Sequence, residues 1–96
     1  MGSVYKLVVT SSSVSGTTGH HNINVYIEET CDDGRVISGI PETYGIEGQA
    51  LRLRHDGDAQ KWLAWIGQDM KAKHIKRTQI ANEVATWHGK RFDIQE

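Results

Sequence analysis

The sequence predicts an α+β fold of two layers, an antiparallel β-meander of three to four strands packed on one face by a long helix and a shorter second helix, both in the C-terminal half. Three observations predict it. The first half carries short β-branched or alternating runs, VYKLVVT, INVYIEE and RVISGI, separated by glycine-containing connections. The second half carries DAQKWLAWIGQDMKAKHIKR, in which Ala59, Trp62, Leu63, Ile66 and Met70 fall within one arc of roughly 100° at helical spacing. Strands precede helices along the chain, the order of a sheet covered by helices rather than of alternating βαβ units.

Val4–Thr10 is the expected first strand, with Tyr5, Leu7 and Val9 on one face. SSSVSGTTGHHN, Ser11–Asn22, is almost wholly polar and is expected to form a mobile hairpin loop. Ile23–Glu29 alternates cleanly, placing Ile23, Val25 and Ile27 together. Asp33-Gly34 has the composition of a two-residue type I′ turn leading into Arg35–Ile40, which Pro41 ends for want of a ladder donor. ETYGIEG is then expected as an irregular connection, and QALRLRH, Gln49–His55, as a fourth, half-exposed strand from the alternation of Leu51 and Leu53 with Arg52 and Arg54. Asp58 is positioned to cap the long helix, and Lys71, Lys73, Lys76 and Arg77 gather where positive charge suits its C-terminal dipole. Gly67 in mid-helix costs about 1 kcal/mol relative to alanine, a cost that a close helix-to-sheet approach would justify. Ile80, Val84 and Trp87 repeat helical spacing and predict a separate second helix over Gln79–His88, with Thr78 as cap and Gly89 as terminator. The competing assignment is a hairpin at His88-Gly89 between VATW and RFDI. Phe92 and Ile94 alternate with polar neighbours, as a short edge strand would.

A chain of 96 residues holds one domain with a single core. No apolar run approaches the roughly 20 residues of a membrane helix, and the first residues lack a signal peptide's basic and apolar regions, so the expected setting is cytoplasmic, away from membranes. One cysteine, Cys31, excludes an internal disulfide and any Cys-x-x-Cys pair. The net charge of −1 conceals an asymmetry, because residues 1–50 carry two basic against six acidic side chains and residues 51–96 carry nine against six. Such a split either pairs the two halves across the fold or leaves a basic face for an anionic partner.

Catalytic and cofactor signals are weak, and no cofactor is implied. No serine occupies a Gly-x-Ser-x-Gly turn, and two aspartates beside Cys31 would disfavour its thiolate. SGTTG lacks the lysine of a phosphate-binding loop. TQIANEVA lacks the early glycine of a helix-turn-helix corner, since Gly89 follows Ala81 by eight residues. His20, His21, His55 and Asp58 could form a metal site if the loop folded over the turn before the long helix, although their spacing matches no known metal motif. His74 lies at the border of the apolar arc, where a core-edge role is expected.

The positive signal is the cluster Lys71, Lys73, Lys76, Arg77, Lys90 and Arg91, interrupted by one acid, Glu83, together with Trp65. Trp65 lies about 60° outside the apolar arc and needs a neighbour other than the sheet. The expected function is a non-enzymatic interaction module that uses this basic C-terminal surface and Trp65 to bind a protein partner or a second copy of itself. Nucleic-acid binding through the same residues is the first alternative, and a small metal-dependent enzyme or metal-binding protein using the loop histidines is the second.

Overall fold

In the computed structural model, which describes residues 2–16 and 19–94, β1 (Val4–Ser15), β2 (His20–Thr30), β3 (Val36–Ser38) and β4 (Glu42–Glu47) precede α1 (Gly48–His55) and α2 (Ala59–Ala85). Thr17 and Thr18 of the expected loop lie outside the described residues. β1 pairs antiparallel with one edge of β2, and β3 and β4 pair antiparallel with the other edge, end to end. The third strand is in effect one strand broken at Gly39–Pro41. Gly39 still donates its N–H to the Ile27 carbonyl at 2.8 Å, and Pro41 has no such donor.

The register turns one face of the sheet toward α2. Leu7 opposes Ile27, Val9 opposes Val25 and Tyr44 opposes Ile23, so period-two alternation collects their side chains on that face. From the helix, Trp62, Ile66, Met70 and His74 descend in steps of four residues and are all buried. Val25, Ile27, Ile46, Trp62, Ile66 and Met70 form the core, with Tyr5, Leu7, Ile23, Tyr44, Ala50 and Leu51 packed against it. This is the expected two-layer α+β arrangement.

Several elements differ from the sequence expectation. Two parts of the polar tract, Ser11–Ser15 and His20–Asn22, are strand rather than loop: β1 continues through Ser15, with Ser11–Ser15 opposite Asn24–His20 beyond a register shift at Thr10. Asn24 explains how, because its amide donates to the Ser11 hydroxyl, its side-chain oxygen accepts from Thr43, and its carbonyl accepts from Thr10. Hydroxyls and an amide link three strands where apolar contacts are lacking. The Cys31–Arg35 connection is a three-residue loop in which only Gly34 has positive φ, +87°, not a type I′ turn. ETYGIEG supplies β4.

QALRLRH is helix α1. Its residues are strong helix formers, and helical geometry lets Ala50 and Leu51 pack on the core while Leu53 faces out. Asp56 and Gly57 both adopt left-handed φ, and both donate backbone N–H groups to the Leu51 carbonyl; Asp58 then caps α2 by accepting from the Gln60 N–H at 2.9 Å. The shorter helix therefore precedes the long one.

No second helix begins at Thr78. Its hydroxyl bonds the His74 carbonyl at 3.1 Å, and α2 runs unbroken for 27 residues, roughly 40 Å, to Ala85. The tail 90–94 is not a strand, and the hairpin alternative falls because Val84 and Ala85 are helix and Thr86 and Trp87 a turn. Every residue from Thr78 to Ile94 is exposed, because α2 outruns the sheet. The radius of gyration, 17.9 Å, exceeds the roughly 12–13 Å of a compact chain of this length for the same reason.

Candidate functional site

Trp65 finds its second neighbour at the junction of α1 and β4. Its ring meets Tyr44 edge-on at 6.1 Å and His55 at 6.0 Å, and the Arg54 guanidinium lies 5.7 Å from its centroid. Beside it, the Tyr44 hydroxyl donates to Asp69, and Lys73 donates to Tyr44 at 3.2 Å and pairs with Asp69 at 3.1 Å and Glu42 at 3.5 Å. Arg77 approaches the other Glu42 oxygen at 3.8 Å. Burial, reinforced by the Asp69 carboxylate, raises the Tyr44 pKa; the Tyr44 hydroxyl and then Lys73 lower that of Asp69; and hydrogen bonds to Tyr44 and Asp69 raise that of Lys73. Replacing Tyr44 with phenylalanine should cost about 1 kcal/mol in urea denaturation, since Asp69 and Lys73 keep each other but lose the hydroxyl between them. An unchanged midpoint would show that the hydroxyl contributes nothing.

The basic cluster therefore splits. Lys73 and Arg77 are held by acids of the sheet and helix. Lys71 sits on the opposite flank, 5.0 Å above the Tyr5 ring. Lys76 is exposed on the Trp65 side, and Lys90 and Arg91 lie beyond the helix end. Part of the charge asymmetry is thus spent inside the fold.

The histidines separate in the same way. His55 lies against Trp65, Asp58 is a helix cap, and His21 pairs opposite Ile46. His20 crosses Gly45, where a Cβ would approach its Nε2 to 2.8 Å and the Asn22 amide oxygen to 2.7 Å. Among the described residues no three His, Cys, Asp or Glu side chains gather as a metal site. His74 is a core-edge residue as expected, and its partner is a buried acid: Nε2 lies 2.7 Å from Glu29, whose other oxygen accepts from Ser3 at 2.6 Å. The Ser3 and His74 hydrogen bonds lower the Glu29 pKa. The signal for Glu29 was its place in INVYIEE, two residues beyond Ile27 on the inward face.

Two surfaces remain open. The stripe that begins at Trp62 and Ile66 continues through Ile80, Val84 and Trp87 after the sheet has ended, leaving them 49%, 46% and 47% exposed. Trp87 meets Phe92 edge-on at 5.9 Å. On the other flank, α2 and β1 stand apart over two adjoining grooves, about 430 and 370 Å³, that share Leu7, Gly67 and Gln68. A Cβ on Gly67 would touch only Leu7, at an ordinary 3.9 Å, so close packing is not what this glycine serves. Neither surface was legible in the sequence, because each depends on where the sheet stops relative to α2.

The class these features define is a small two-layer α+β domain whose long helix overhangs the sheet at its C-terminal end; among the described residues no helix is long and apolar enough to cross a membrane. No family model, curated protein or solved structure matches the chain.

Proposed function

We propose that this chain is a non-enzymatic interaction module that binds another protein chain through the overhanging third of α2. The observation that carries the reading is the continuation of the core stripe into Ile80, Val84 and Trp87, where the protein itself supplies no cover. Exposed apolar side chains that include a large aromatic, with charge beside them, are the composition of a protein interface. Lys76, Lys90 and Arg91 supply that charge, and none pairs with an acid among the described residues. Protein is favoured over nucleic acid because Lys73 and Arg77 already have carboxylate partners. A cytoplasmic setting suits the half-buried free thiol of Cys31.

Benzoylphenylalanine placed at Val84, with the same group at Leu53 on α1 as control, tests the reading. Irradiation in concentrated solution and in cell extract should give covalent polypeptide adducts at Val84 and not at Leu53. Equal yields at both positions, or none, would overturn it. Oligonucleotide titration followed by amide NMR supplies the contrast: salt-sensitive shifts at Lys76, Lys90 and Arg91 would transfer the assignment to nucleic acid.

A further inference from the structure

We propose that the cleft between β1 and α2 accepts an added β-strand, and that its occupant is the segment Arg91–Ile94 of a second copy of this chain. The inference goes beyond the interaction-module reading, because the cleft is a surface separate from the overhanging stripe.

β1 ends the sheet, and among the described residues no strand lies beyond it. Alternate backbone N–H and C=O groups along such an edge point away from β2 and invite another strand. Devices that blunt an edge are sparse along the groove: β1 contains one charge, Lys6, and no proline, and its register shift at Thr10 lies past Val9, the last groove-lining residue of β1. Beside the edge, α2 leaves the two grooves open. Leu7, Val9, Leu63 and Ala64 supply apolar walls toward one end, and Tyr5 and Lys71 line the other. An open strand edge flanked by a helix and an apolar groove is the arrangement used for strand addition, in which the backbone supplies affinity and alternate side chains enter the groove. Gly67 fits this use. Its missing side chain is not required for packing on Leu7, but a methyl there would narrow the junction of the two grooves.

An occupant must present apolar side chains at every second residue. Phe92 and Ile94 do so around Asp93, are 64% and 91% exposed, and belong to no strand in their own chain. In an antiparallel register with Phe92 opposite Leu7 and Ile94 opposite Tyr5, both face the cleft. Asp93 then falls opposite Lys6 on the outer face, where the charges match. The donor is a second copy because the tail cannot reach its own cleft. Lys90 is tied to the Trp87 carbonyl at 3.0 Å, so only Arg91–Ile94 can extend, once Phe92 leaves the Trp87 ring, a reach of at most about 14 Å. Ala85 lies roughly 21 Å along the helix axis from Lys71, the nearest cleft residue on α2. Reciprocal exchange closes a two-fold dimer.

Sedimentation equilibrium on the full chain tests this, with Gly67→Ala, Lys6→Asp, Asp93→Lys, the Lys6→Asp/Asp93→Lys pair and Val84→Asp. The wild-type chain should dimerise. Gly67→Ala should melt at the same or a higher temperature yet dimerise about tenfold or more weakly, a combination that a folding defect cannot produce. Each charge reversal should weaken the dimer, and the pair should restore it. A chain that stays monomeric up to millimolar concentration overturns the second-copy assignment, as does a dimer indifferent to Gly67→Ala or a charge-reversed pair that fails to recover. A dimer lost in Val84→Asp but intact in Gly67→Ala would remove the cleft from the interface and leave the interaction reading standing. That reading falls separately if Val84 gives no specific cross-link.

Discussion

Truncation of Ile66 to alanine is expected to lower the unfolding free energy by about 2–5 kcal/mol, among the largest single-residue effects in this chain. Ile66 is 0% exposed, stands between Trp62 and Met70 on the buried ridge of α2, and belongs to the core cluster with Val25 and Ile27 of β2. The change removes apolar contacts and leaves a void that close-packed neighbours cannot fully collapse into. A domain of this size has roughly 5–15 kcal/mol to lose, and six core side chains place it toward the low end of that range. Urea denaturation should show an earlier midpoint with an unchanged slope. Leu53→Ala on exposed α1 should stay within about 0.5 kcal/mol of wild type. A loss at Ile66 no larger than at Leu53 would mean that α2 does not dock on β2 through this ridge.

The second large effect is expected at Glu29. Glu29→Ala removes the acceptor for both His74 and Ser3 at a site where His74 is buried, and should cost about 1–3 kcal/mol. Relief by rearrangement is limited on one side, where a Cβ on Gly39 would already lie 2.9 Å from the His74 Nδ1. The pH dependence has a definite sign. The folded-state pKa of Glu29 is lowered from 4.5, so its contribution is complete above the unfolded value and is lost as pH falls below 4.5 through the folded value. Glu29→Gln should flatten that part of the acid limb in thermal melts. An acid limb identical to wild type would show that Glu29 is not hydrogen-bonded as an anion.

Much of this fold could be read in the chain because its strongest signals are local. The Trp62–Ile66–Met70 ridge and the Asp58 cap are written within a few turns of helix, and INVYIEE alternates over a full strand. QALRLRH failed because four alternating residues cannot outweigh helix propensity, while Ala50 and Leu51 serve a helical contact as well as a strand contact. SSSVS failed because its pairing depends on Asn24 and Thr43, which are remote in sequence. Thr78 looked like a cap because threonine suits caps, but within α2 its hydroxyl simply turns back to the His74 carbonyl. For the candidate site, Trp65 and the basic residues were visible, but their distribution was not. Lys73 and Arg77 are claimed by Glu42 from a segment expected to be irregular, and the β1 cleft exists only once α2 lies across the sheet.

The last turns of α2 rest on a different physical footing from the first. From Asp58 to His74 the helix is held by burial, whereas Gln79–Ala85 is too short to be helical alone in water and owes its conformation to propagation from the packed turns before it. The free energy holding that end helical is therefore small, and it frays in solution far more readily than the core opens. Any chain that covers Ile80, Val84 and Trp87 must also order these turns. Part of its binding energy goes to fixing backbone, so association is weaker, and more easily reversed, than the same apolar stripe on a rigid helix would provide.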